Sequence, residues 1–289
     1  MPRRTIGGAF AFPCTLYNMI MDLLIAIFFL FVGIEITATL THPKQVLLPA
    51  IAALGGMVIP ASIFLALNPG SQAWATAMPT DLALALGVFA LLGKGANPAV
   101  RIFLLTLAVA DDLFSLIALA LFYGDQLDLA HSASTLGAAA LGAVLAIIPK
   151  FPVKRVIAIL SPLCNFLVIP VYVIAKLSQG ISVDSITSKT AFSLTIARVV
   201  GKIVGVTLFA WLAVKLKFVQ LPSNLRVSEI AGVGALAGMG LTVALVISEV
   251  AVESEVIQGD VKAGLIISAL ISGFIGFVWL RRLRPANVA

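Results

Sequence analysis

Nine apolar stretches, each of membrane-spanning length, limit what this chain can fold into. They fall at about 17–41, 46–67, 72–92, 98–123, 133–149, 156–178, 190–214, 229–252 and 262–280. A spanning helix needs roughly 20 predominantly apolar residues. The expectation is an all-α polytopic membrane protein of about nine transmembrane helices, forming a single transmembrane domain over 1–289.

Composition removes the soluble alternatives. Only 11% of the 289 residues are charged, against roughly 25% in a soluble domain, whose surface must face water. Membrane lipid has to cover the rest. Cys14 and Cys164 both lie in apolar stretches and suggest neither a disulfide framework nor a metal centre. His42 and His131 stand far apart, so a His-ligated metal is not expected either. No cofactor is called for.

The net charge of +6 could suggest nucleic acid as a partner, but its distribution argues against that. Loops on one side carry Lys44, Lys94, Arg101, Lys150, Lys154, Arg155, Lys215, Lys217, Arg226, Arg281, Arg282 and Arg284, which are 12 of the 19 basic residues. The other side holds Arg3, Arg4, Lys189 and Lys262 among Asp125, Asp128, Asp184, Glu249, Glu253, Glu255 and Asp260. The positive-inside rule puts the first set in the cytoplasm, with the N-terminus outside and the C-terminus inside. Arg3 and Arg4 run mildly against that placement. Arg-Arg before an apolar run is also a signal-sequence form, but this run continues to full spanning length without a small-residue cleavage site.

Beyond Arg101, Glu229, Glu249 and Lys262 at the span edges next to the loops, eight charged residues fall within the spans: Asp22, Glu35, Asp81, Asp111, Asp112, Lys176, Arg198 and Lys202. A central Asp, Lys or Arg costs about 2.5–3.5 kcal/mol even on a lenient insertion scale, so each calls for a reason. Asp22, Glu35, Lys176 and Arg198 lie nearer the span ends, where snorkelling accounts for them. Asp81, Asp111, Asp112 and Lys202 lie too deep for that.

Asp111 and Asp112 adjoin at mid-span. Two carboxylates this close in a low dielectric resist ionising together. A protonated carboxyl is neutral, whereas a deprotonated one is a hard oxygen ligand for a small cation. One group then holds a proton or a cation but not both, which is the physical basis of an exchanger. Without a Cys/His set, an alkali cation is the expected cargo. A buried Lys202 ammonium needs a carboxylate partner, with Asp111 and Asp81 the candidates.

Two spans read as broken. The first contains Met78-Pro-Thr-Asp-Leu82, whose proline removes a backbone donor. The second contains Gly238-Met-Gly-Leu-Thr242. Each is the middle span of three, over 46–123 and 190–284, and the loop charges make the two triplets inverted with respect to each other. Paired interrupted spans in inverted repeats point to a midplane ion site. Asp81 and Lys202 are the charges expected to balance the opposed half-helix dipoles.

Thr80-Asp-Leu-Ala-Leu-Ala-Leu-Gly-Val-Phe-Ala-Leu-Leu-Gly93 followed by Leu107-Ala-Val-Ala-Asp-Asp-Leu113 resembles the NhaA family of bacterial sodium/proton antiporters. So do Phe28-Phe-Leu-Phe-Val-Gly-Ile-Glu35, Gly201-Lys202, Gly238-Met-Gly-Leu-Thr242 and Trp279-Leu-Arg281. Inverted repeats are themselves a known feature of that family, so the repeat and the resemblance are one argument.

The resemblance implies electrogenic exchange of Na+ (or Li+) for H+ across the bacterial inner membrane by alternating access. It makes Asp112 the main cation ligand and proton carrier, and pairs Asp111 with Lys202. Thr80 and Asp81 would line the crossing of the broken helices, with Gly238 and Gly240 at the second break. Asp22 and Glu35 match acidic positions of the family's second helix. The family has twelve helices. Its first helix, the dimer-forming hairpin after it and about two helices near Ile148-Pro-Lys-Phe-Pro152 have no counterpart here, so a homodimer is left open. Ala38, Thr39 and Ile157 stand where the family has charged residues, which weakens the expectation of pH regulation.

Other classes fit less well. A non-transporting antiporter remnant would lack the same helices, and a sodium-coupled symporter of similar architecture would carry a similar site. An intramembrane aspartyl protease needs two aspartates facing each other across helices. Asp111 and Asp112 adjoin on one, so no enzyme is expected.

Overall fold

The structure, a computed structural model, describes residues 14–40, 43–123, 129–149, 151–177 and 182–283. Arg3, Arg4, His42, Asp125, Asp128, Lys150 and Arg284 lie outside the described residues. Cys14, Lys44, Lys94 and His131 are described in backbone only.

Among the described residues all regular structure is helical. In lipid every backbone polar group must be bonded internally, and a helix does this within one segment. Helices α1 (Cys14–Leu40) and α2 (Pro43–Leu67) come first. A 3-10 helix (Gln72–Ala77) and α3 (Leu82–Ala90) make one span with an extended break between them. Helices α4 (Pro98–Tyr123) and α5 (Leu129–Ile147) follow.

The next span, Val153–Leu177, passes through α6 (Val153–Leu163), a π-helical turn (Cys164–Val168) and α7 (Ile169–Leu177). The turn lies between Pro162 and Pro170, neither of which can donate a backbone hydrogen bond. A short α8 (Val183–Ile186) leads into α9 (Lys189–Lys215). Helices α10 (Val227–Ala237) and α11 (Thr242–Ala251) form a pair bent by 52°, and α12 (Glu255–Arg282) completes the bundle.

Among the described residues seven helical spans are long and apolar enough to cross a membrane, and the bent pair makes an eighth. The stretch at 133–149 corresponds to α5, whose described apolar part is Gly137–Ile147. Large apolar side chains such as Leu121, Phe166, Phe192, Leu270 and Phe274 stand exposed on the outside. That surface is suited to acyl chains and unsuited to water.

Helix α9 is the hub, packed on α2, α10 and α12, with α2 also against α4. Its approach to α2 is backbone to backbone. A Cβ on Gly55 would run into the Gly205 carbonyl, and one on Gly205 would run into the Gly55 carbonyl. Small residues at helix contacts are how membrane helices gain close packing. Helix α1 packs on α5 and touches α4.

Candidate functional site

The two broken spans meet at their breaks. Asp81 N donates to Met239 O at 2.8 Å, and Thr80 Oγ1 donates to Ala237 O at 3.0 Å. Pro79 and Gly240 shape the contact. Proline cannot extend the first helix, and a Cβ at Gly240 would collide with Pro79 O and the Arg198 guanidinium. Gly238 is equally tight, since a Cβ there would meet the Ser272 side chain. Both glycines serve close approach, because neither has positive φ.

A break leaves two kinds of helix end, and each kind is gathered on a single side chain. Asp81, 2% exposed, takes the N-terminal ends. Its Oδ1 accepts from Leu84 N at 3.1 Å in the first turn of α3. Its Oδ2 accepts from Thr242 Oγ1 at 2.8 Å and Thr242 N at 3.4 Å, at the start of α11. A carboxylate there both caps orphan N–H groups and offsets the positive end of the dipole.

The C-terminal ends are held by Arg198, which is wholly buried. Its Nη1 donates to Thr76 O at 2.5 Å, its Nη2 to Pro79 O at 2.7 Å and its Nε to Gly238 O at 3.3 Å. The fork of a guanidinium suits three carbonyls converging from two chain segments. Two sequence expectations are corrected here. Arg198 does not snorkel to an interface, and Arg198 rather than Lys202 directly compensates the carbonyl ends. A signal was present, since Arg198 and Lys202 are four residues apart and share one face of α9.

Lys202 serves the aspartate instead. Its Nζ lies 2.9 Å from Asp111 Oδ2 and 3.1 Å from Thr80 Oγ1. Of the two candidate partners, Asp111 is the one it meets. Thr80 thus accepts from Lys202 while donating to the end of α10, tying the ion pair to the crossing. Asp111 Oδ1 and Asp112 Oδ1 are buried without a hydrogen-bond partner. Asp112 keeps 9% exposure where Asp111 has none.

The accessory positions separate. Glu35, partly buried, lies in the half of α1 nearer its C-terminal end. Asp22, partly buried, lies in the half of α1 nearer its N-terminal end. Tyr172 belongs to a second polar group, where its hydroxyl donates to Glu249 Oε2 at 3.5 Å and Lys176 Nζ lies 2.8 Å from Glu249 Oε1. Lys176 is therefore paired with α11, and Glu249 is a helix residue rather than part of a loop.

No group of three or more His, Cys, Asp or Glu able to hold a metal exists among the described residues. Two interrupted spans crossing around buried carboxylates define the class: a polytopic membrane protein with charges buried at the crossing of its broken helices. Comparison with known proteins gives the family. The sequence profile of "Na+/H+ antiporter 1" matches residues 4–158 and 147–280. The Na(+)/H(+) antiporter NhaA of Escherichia coli strain K12 is 34% identical over 335 aligned positions, covering 93% of this chain and 85% of the relative. That of Citrobacter koseri is 32% identical over 336 positions, covering 96% and 87%. The chain belongs to the NhaA family of Na+/H+ antiporters. The alignments are longer than the 289-residue chain, and the two profile segments overlap at 147–158. Both agree with residues missing near Ile148–Pro152.

Proposed function

We propose that this protein exchanges Na+ (or Li+) for H+ across the bacterial inner membrane, electrogenically, by competition of cation and protons at Asp111 and Asp112. The observation that carries the reading is the pair of unpartnered carboxylate oxygens beside the Lys202–Asp111 ion pair. Anionic oxygens buried without a donor are costly unless a proton or a cation joins them.

A cation entering beside Asp112 takes the place of that residue's proton. Binding Asp111 as well weakens the hold of Asp111 on Lys202, whose ammonium then releases a second proton. The exchange is electrogenic when more than one proton leaves for each cation gained. Asp81 and Arg198 keep their charges throughout, because the broken ends they hold are present in every state.

The repeats 46–123 and 190–284, related by inversion, would carry the site between the two sides while α1 and α5 stay with the lipid. The N-terminus would lie outside and the C-terminus in the cytoplasm. The test is purified protein in proteoliposomes bearing a pH gradient. Added Na+ or Li+ should drive proton movement, and a membrane potential set with valinomycin should change its rate. Absence of cation-dependent proton movement from neutral to alkaline pH would overturn the function. Indifference to the potential would overturn electrogenicity alone.

A further inference from the structure

Two carboxylate oxygens are a sparse ligand set for a cation stripped of water, and α4 offers a third oxygen. Ser115 lies four residues after Asp111 and three after Asp112, which puts it on their face of the helix one turn on. Helical side chains tilt toward the N-terminus, so Ser115 leans over the turn that carries both aspartates.

Its Oγ is buried and has no hydrogen-bond partner. That is unusual for a hydroxyl inside a membrane helix. Thr106 on the same helix donates to Ile102 O at 2.9 Å, Ser193 to Lys189 O at 2.7 Å, Thr195 to Ala191 O at 2.8 Å and Thr207 to Ile203 O at 2.6 Å. This bond to the carbonyl one turn back is the ordinary resting place of such a group, and Ser115 does not take it. Apart from Asp111 Oδ1 and Asp112 Oδ1, the other buried side-chain oxygen without a partner among the described residues is Ser272 Oγ, on α12 beside Gly238. Three uncommitted oxygens thus belong to one turn of α4. A hard cation exchanges water only for oxygen ligands, so the chemistry fits an alkali ion.

We propose that Ser115 is a third ligand of the transported cation, its Oγ joining Asp111 Oδ1 and Asp112 Oδ1 to form a three-oxygen set. The inference rests on the exchange function proposed above, and it assigns the hydroxyl to cation affinity rather than to proton carriage.

The test pairs equilibrium binding of radiolabelled sodium to the purified full chain with exchange in proteoliposomes, for wild type, Ser115→Ala, Ser115→Thr and Ser268→Ala. Ser115→Ala should raise both the dissociation constant and the half-saturating Na+ concentration about five- to ten-fold, the cost of one lost polar partner. Its maximal rate should hold. Ser115→Thr keeps the hydroxyl and should stay within about two-fold of wild type on the same scale. Ser268→Ala, whose hydroxyl is already committed to Leu265 O at 3.0 Å, should change neither value.

Equal binding by Ser115→Ala and wild type would overturn the inference while leaving the exchange function standing. So would equal weakening by alanine and threonine, which would indicate packing instead of ligation. A wild-type chain that neither binds nor exchanges Na+ would overturn the proposed function, and this inference with it.

Discussion

The N-terminal and C-terminal ends of the broken helices are closed by opposite chemistries at one crossing. On one side Asp81 accepts from backbone and hydroxyl donors at the starts of α3 and α11. On the other, Arg198 donates to three carbonyls of the two breaks. Neither side chain is paired directly with the other's ends, and each spans both segments. The ion pair Lys202–Asp111 stands apart, joined to the crossing through Thr80. The buried charges at the crossing therefore sort into two that hold the helix ends, Asp81 and Arg198, and three, Asp111, Asp112 and Lys202, that the proposed exchange would re-pair. A site can exchange its charges without losing its shape only where such a division exists.

The sharpest way to break that division is at Arg198. Arg198→Leu leaves three carbonyls without a donor at about 1–3 kcal/mol each, so the folded state should lose about 3 kcal/mol or more. Thermal unfolding of the purified protein in detergent reads this directly, and exchange should fall with it. Arg198→Lys should recover part of the loss, because an ammonium keeps the charge and cannot reach all three oxygens as a fork does.

Asp81→Asn is milder. The amide oxygen can still accept from Leu84 N or Thr242, so the loss is mainly the charge facing two helix starts, about 1–2 kcal/mol. Unfolding should shift by less than in Arg198→Leu, while sodium binding at the neighbouring carboxylates persists. Equal losses in the two variants would show that the two ends are not held independently. Glu249→Gln removes the partner of Lys176 away from the crossing. The pair is partly covered, with side chains 18% and 29% exposed, and lies outside the crossing, so unfolding should shift by about 1 kcal/mol, less than in Arg198→Leu, and the half-saturating Na+ concentration should stay put.

Much of this organisation is legible in the sequence where chemistry is local. Pro79 marks the first break, and the glycines at 238 and 240 mark the second. Asp111 and Asp112 announce themselves by sitting at mid-span. Lys202 narrows its partner to two aspartates, because a buried ammonium must be answered by one of few acids. Legibility fails where the answer depends on which way a helix faces. Arg198 is nine residues into α9, and distance from the span end suggests snorkelling, whereas the face it shares with Lys202 decides its fate. Lys176 and Glu249 lie on helices remote in sequence, so only the packing of α7 against α11 reveals their pairing. Ser115 gives no signal by type alone, since serine is common in membrane helices and is usually bonded to its own backbone.

The most direct test of the central claim is sodium- or lithium-dependent collapse of a respiration-generated pH gradient. Everted vesicles from antiporter-deficient bacteria would carry either wild type or Asp112→Asn, with membrane levels matched. The account predicts that the cation dissipates the gradient with wild type and has no effect with Asp112→Asn, whose amide cannot trade a proton for a cation. Equal dissipation by both chains, or by neither, would contradict it.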